Sequence, residues 1–403
     1  MKQSLILVFC IVLASLISAC KNDTTVTGPT QSVSNAITSD TVTGNIRGTM
    51  LAGKTYYIKD SITVLAKDTL LLQEGVTCYC ITSSPTRYSV IFIQGTFLSN
   101  GTKDKPNLFT VPASAVNQGR GAWGGFLCDS PKVVSFKWTK VENTGGPDPQ
   151  GSPRQVIRLN ANAANTSVFI AEDSWFGNSV DDAFKIYGGS GHILRNTMYN
   201  IGKDDADAIN IKKGWTGEVA YNVIWEPAGS CIKIESSASD LTHITKVNVH
   251  NNTCINSGFR RLGEIGYGVL VDAGGQAQVW NNIIVNCRYG LFLGPDGDTI
   301  NSHFGNNLFY ATVDSLKGTN RFYPIDGVLS RMKSSADQIS VDPKFTAFHG
   351  TDADLTATVD NNNYRLLSGS PAFGKGSTSF SSTGLGDADL GAYTNNSAAS
   401  NQH

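Results

Sequence analysis

From about residue 168 the chain repeats a pattern of apolar and polar positions at intervals of 22 to 37 residues. One recurring unit is an asparagine followed by apolar residues: RNTMY (195–199), YNVIW (221–225), NNTCI (251–255), NNIIV (281–285) and NNLFY (306–310). The other is a small residue leading into alternation: AFKI (183–186), AINI (208–211), CIKI (231–234), GVLV (268–271) and GLFL (290–293). Glycine-rich turns such as YGGSG, KKGWTG, DAGG and GPDGD come next. Period-two alternation predicts strands. Several short strands in a repeat of about 25 residues, with Gly or Asn at the bends, predict a solenoid. Stacked coils set equivalent strands about 4.8 Å apart, so equivalent asparagines can hydrogen-bond in ladders, and Asn tolerates left-handed bends. The expected fold is all-β: a right-handed parallel β-helix forming a single domain.

Alternation also assigns faces, because successive side chains of a strand point to opposite sides. Phe184, Ile209, Ile232, Val269 and Leu291 form one inward column, and Ile186, Ile211, Ile234, Val271 and Leu293 a second. The outward columns read Lys185, Asn210, Lys233, Leu270, Phe292 and then Tyr187, Lys212, Glu235, Asp272, Gly294. The first half has the same texture with less regular coils: TYYI (55–58), SITV (61–64), TLLL (69–72), SVIFI (89–93), GTFL (95–98) and NLFTV (107–111).

The ends differ from the repeats. Lys2 precedes an apolar run from Leu5 to Ile17, too short to span a bilayer and suited to a secretory signal. Ile17-Ser18-Ala19-Cys20 resembles the bacterial lipoprotein cleavage box, which implies lipidation of Cys20 and anchoring at the outer membrane or cell surface. The expected division is a signal peptide over 1–19, a Ser/Thr-rich tether over 20–41, the β-helix over 42–345 and a closing segment and tail over 346–403. The net charge of −1 gives no pull toward nucleic acid. Cys78, Cys80, Cys128, Cys231, Cys254 and Cys287 show no C-x-x-C spacing and read as small core residues.

Two patterns imitate cofactor loops. GTMLAGKT (48–55) fits G-x-x-x-x-G-K-[ST], but the strand-like TYYIKDSITV follows where a phosphate loop needs a helix. GRGAWG (119–124) fits G-x-G-x-x-G without a βαβ unit around it. Neither predicts a nucleotide partner.

Charged residues gather on the outward strands of three successive coils, 181–187, 204–213 and 230–235, beside an insertion carrying Arg260, Arg261 and Glu264. The order GTMLAGKTYYI, TLLLQEGV, IQGTFLSNGTKDKPNLFTV, GAWGGF and the tail NYRLLSGSPAFGKGS resemble bacterial surface β-helix proteins. DDAFKI and DDADAINIKKG are similar to strands of the pectate-lyase-like superfamily. In its lyases acidic side chains hold Ca²⁺ against a uronate carboxylate while Lys or Arg removes the neighbouring proton, a step that needs the growing charge neutralised. The resemblance implies Asp182, Asp204, Asp205, Asp207 and Glu235 as calcium ligands, Lys212 or Lys233 as base, and Arg260 as a second cation. Asn210 and Lys185 are expected to bind substrate, and Trp215 and Trp225 to stack on sugar rings or pack in the core. The partner implied is an acidic polysaccharide, cleaved by β-elimination. The alternative is a non-catalytic surface protein (glycan-binding, adhesin or spacer) whose stacked Asp and Lys pair with each other.

Overall fold

The computed structural model describes residues 35–115, 118–162, 164–236, 242–261, 265–330, 334–379, 387–395 and 399–403. The signal peptide, Cys20, most of the tether and Glu264 lie outside them.

Each regular coil contributes three short strands. In one coil these are Ile209–Lys212, Thr216–Ala220 and Val223–Trp225. In the next they are Ile232–Glu235, Lys246–His250 and Thr253–Ile255. All three pair with their equivalents in parallel and in register: Ile209 opposite Ile232, Thr216 opposite Lys246, Val223 opposite Thr253. Second strands stack into a ten-stranded sheet, while first and third strands belong to a 20-stranded one. Those two faces join through Thr55–Val64, whose first half pairs with Thr77–Ile81 and whose second half pairs with Val90–Ile93. The chain bends inside that strand at Asp60, with φ 63°. This is a parallel β-helix.

The residues that turn the chain are the ones the repeat marks. The residue before each repeated asparagine is left-handed: Arg195, Tyr221, Asn251, Asn281 and Asn306 have φ between 52° and 59°. The repeated asparagines Asn196, Asn222, Asn252 and Asn282 are buried and form a ladder. In each step the Oδ1 of one accepts the backbone N–H of its equivalent one coil earlier: Asn196 N–H to Asn222 at 2.9 Å, Asn222 to Asn252 at 3.1 Å, Asn252 to Asn282 at 2.9 Å and Asn282 to Asn307 at 3.0 Å. Their Nδ2 groups donate to carbonyls of the preceding coil, as Asn252 does to Val219 O at 2.9 Å. A bend that would bury unpaired backbone groups is thereby satisfied.

The two inward columns expected from alternation are buried along their whole length. Toward the N-terminal end the core is filled by Phe97, Phe109, Phe126 and Phe136, whose rings meet at centroid distances of 5.0 to 6.1 Å. The six described cysteines are buried free thiols. The third strands of the later coils are covered on their outer side. Val223, Trp225, Ile255, Ile283, Val285 and Leu308 are covered by Phe345 and by Tyr364, Ala372, Leu390 and Ala392 of the closing segment. An antiparallel pair, Phe345–Ala347 with Asn363–Leu366, opens that segment at its junction with the coils.

GTMLAGKT forms the strand Gly48–Met50, a turn, and the start of Thr55–Val64. In GRGAWG, Trp123 is buried and its indole N–H donates to Glu142 O at 2.7 Å.

Candidate functional site

The outward side of the first strands carries the expected charged patch, built by the same coil-to-coil logic as the asparagine ladder. Asp182 and Asp207 each stand two residues ahead of a first strand. Asp182 Oδ1 accepts the backbone N–H of Asp207 at 2.7 Å, and Asp207 Oδ1 accepts that of Ser230 at 2.8 Å. Ser230 Oγ continues the row by accepting the N–H of Tyr267 at 3.2 Å. These side chains therefore pair backbone groups at the corner of three coils. Asn210 lies between the two carboxylates, its Nδ2 at 3.2 Å from Asp182 Oδ2 and 3.4 Å from Asp207 Oδ2. Its buried Oδ1 has no hydrogen-bond partner.

The lysines around this row are held by acids. Lys185 Nζ is 3.6 Å from Asp182, Lys212 is 2.7 Å from Glu235 Oε2, and Lys233 is 3.2 Å from Glu235 Oε1. Burial drives the Asp182 carboxyl up, reinforced by Asp181 and Asp207, to about 8. Asp207 is raised by burial too, against the opposing pull of Lys233. Burial acts the other way on Lys233, but the charges of Asp207 and Glu235 outweigh it and hold the ammonium above its ordinary value. For Glu235, burial is outweighed by the hydrogen bond from Lys212 and the charge of Lys233, so its carboxyl is lowered. A general base must give up its proton near working pH. Lys233 is held protonated instead, and Lys212 is occupied by Glu235.

The remaining expected residues do not converge on this row. Arg260 donates to Asn200 Oδ1 at 2.9 Å, Ile201 O at 2.8 Å and Glu226 O at 2.9 Å, and its Nε is 3.3 Å from Glu226 Oε1. That binds it to the bend behind the third strands, so it does not join Lys212 and Lys233 as a second cation. Arg261 reaches the row in its place, 2.7 Å from Asp205 and 3.8 Å from Asp207. Asp204 and Asp205 are exposed loop residues, at 82% and 68%, Asp204 being 4.0 Å from Lys203. The stacking expectation for the tryptophans is corrected. Trp215 is completely buried, filling the space that side chains at Gly217 would take, since a Cβ there would lie 2.5 Å from its ring. Trp225 is buried beneath the closing segment. Asn210 is likewise buried and offers no open face to a substrate.

The carboxylates do not fit a calcium cage as they stand. Calcium takes six or more oxygens on one centre, whereas Asp182 and Asp207 serve backbone N–H groups, Glu235 serves two lysines, and Asp204 and Asp205 point to other cations. Among the described residues no group of three or more His, Cys, Asp or Glu side chains is placed to hold a metal.

Next to the charged row lies an open hollow of about 390 Å³ that periodicity did not single out. Arg158, Asn160, Asn162, Asn165, Tyr187, Lys213 and His243 line it, and among these described residues there is no carboxylate. The Tyr187 ring holds two cations, the Arg158 guanidinium 5.6 Å and the Lys213 ammonium 5.0 Å from its centroid. Such cation–ring contacts fix direction as well as adding attraction. The sequence signal was available: Arg158 and Asn160 stand opposite Lys185 and Tyr187 in the strand Ile157–Asn160, one coil earlier.

No family model matches the chain, and no curated protein matches it.

Proposed function

We propose that this chain is a glycan-binding β-helix protein of the bacterial cell surface, carried by a lipid on Cys20 and related to the pectate-lyase-like superfamily. The observation that carries the reading is the hollow beside Tyr187, where cations and side-chain amides converge and, among the described lining residues, there is no carboxylate. Guanidinium and ammonium groups suit the carboxylates of an acidic polysaccharide, and amides suit its hydroxyls. Binding is favoured over cleavage because Lys212 and Lys233 both rest on Glu235 and Asp182 is tied to the next coil. Evenly paired charges are what a load-carrying surface scaffold needs, since they cancel like-charge repulsion between coils.

The test is binding of soluble polysaccharides, acidic and neutral, to the mature chain by calorimetry or affinity electrophoresis. Acidic polymers should bind, more weakly as salt rises because the exposed charges are screened. Arg158→Ala with Lys213→Ala should weaken that binding by roughly tenfold or more, which corresponds to about 1.4 kcal/mol. A wild-type chain that ignores every acidic polymer at low salt would sink the proposal. The same mixtures report on β-elimination: ultraviolet absorbance from an unsaturated product, lost in Lys212→Ala or Lys233→Ala, would replace the binding reading by a lyase.

A further inference from the structure

A second groove opens on the ten-stranded sheet, on residues separate from the hollow beside Tyr187. It has a volume of about 430 Å³, within the range of roughly 300–1,000 Å³ usual for ligand sites. Its long axis follows a column of outward residues paired coil by coil: His192 opposite Glu218, Glu218 opposite Asn248, Asn248 opposite Gln278. Lys246 and Gln276 flank them in the next column. Gly191 and Gly217, with Val247 and Ala277, make the floor. Glycine is required there: a Cβ on Gly191 would lie 1.8 Å from Phe169 O, and one on Gly217 2.0 Å from Gly191 O.

The polar groups of the groove are held in place from behind. Glu218 is almost wholly buried and hydrogen-bonds His250 Nε2, while His250 Nδ1 faces Asn251 Oδ1 at 2.9 Å. The His250 ring stacks on Trp280, with centroids 4.5 Å apart and an interplanar angle of 24°. Gln276 Nε2 donates to Asp298 Oδ2 at 2.7 Å, and Gln278 Nε2 to Asn301 O at 2.9 Å, which sets the planes of both amides. His192 is fixed by Glu172 at 2.7 Å.

We propose that this groove binds an uncharged polysaccharide chain lying along the solenoid axis. Three features point there. The lining mixes donors and acceptors, as hydroxyl groups require. Its formal charges, Glu218 and Lys246, balance, so it offers neither a polyanion nor a polycation a net field. The groups recur at every coil, about 4.8 Å apart, which suits a repeating polymer better than a compact ligand. Among the described lining residues there is no Trp, Tyr or Phe, so recognition runs through hydrogen bonds rather than ring stacking.

The experiment is calorimetric titration of the mature chain with neutral polymers: a mixed-linkage β-glucan, a galactomannan, an unsubstituted xylan and a dextran. At least one should bind with little salt dependence. Asn248→Trp, which fills the groove from a half-exposed position, should abolish that binding, and Gln278→Ala should weaken it by roughly tenfold, both with unchanged thermal midpoints. Arg158→Ala with Lys213→Ala should leave neutral binding intact, and Asn248→Trp should leave acidic binding intact, so the two sites fail separately. Indifference of the wild-type chain to all four polymers, or neutral binding that survives Asn248→Trp, overturns the proposal.

Discussion

Asn252→Ala is expected to lower the unfolding free energy by about 3–5 kcal/mol. Asn252 sits in the middle of the row and is completely buried. Its Oδ1 accepts from the Asn222 backbone at 3.1 Å and from Asn222 Nδ2 at 2.9 Å. Its Nδ2 donates to Val219 O at 2.9 Å, His250 O at 3.0 Å and Asn282 Oδ1 at 3.0 Å. Alanine deletes both sets and removes the side-chain partners of buried backbone groups in the preceding coil and its own, each unmet group costing about 1–3 kcal/mol. Partial relaxation keeps the total below the simple sum. The exposed Asn361→Ala should change stability by less than about 0.5 kcal/mol. Equilibrium denaturation of both variants checks the contrast; equal midpoints would mean that the ladder contributes little.

The ladder and the inward columns were legible because both are repeats of residue type at fixed phase, and stacking turns phase directly into contact. Phe184, Ile209 and Ile232 had to point one way once the period was two. The chemistry was less legible, because exposure depends on residues far away in sequence. Trp225 lies on the outer side of its strand, and only the closing segment, with Phe345 and Leu390, buries it. Trp215 is buried because Gly217, two residues on in the same KKGWTG turn, leaves the space its ring fills. Arg260 and Arg261 are sequence neighbours with opposite destinations, Glu226 for one and Asp205 for the other. The groove on the ten-stranded sheet left a trace in KVNVH and QAQVW, whose polar positions 246, 248, 276 and 278 alternate with buried ones. What those strings lack is the rest of the lining, Gly191, His192, Gly217 and Glu218, which comes from the two preceding coils.

Wild-type stability should fall as pH rises from about 4 to about 8, and Asp182→Asn should remove much of that fall. In the unfolded chain this aspartate ionises around 3.8; in the fold, burial beside Asp181 and Asp207 raises it to about 8. Between those values the unfolded chain releases a proton that the folded chain keeps. Rising pH therefore favours unfolding throughout that window, while below it both states are protonated and the full stability is present. The loss accumulates steadily through that window, because folding and proton release by this carboxyl are linked. Lys185, 3.6 Å from Asp182, opposes this, as do Lys233 and Arg261 acting on Asp207. Asparagine at 182 cannot ionise, yet it keeps an oxygen for the Asp207 N–H. Its new Nδ2 would face Asn210, whose buried Oδ1 has no partner at present and can turn to accept. Lys185 loses its acid but is about a quarter exposed and can reach water. The variant should therefore be more stable than wild type toward pH 8, with the difference closing below pH 4. Denaturant titrations from below pH 4 to above pH 8 decide it: parallel curves for the two proteins would show that Asp182 is ionised in the fold and that Lys185 and Asn210 compensate its charge.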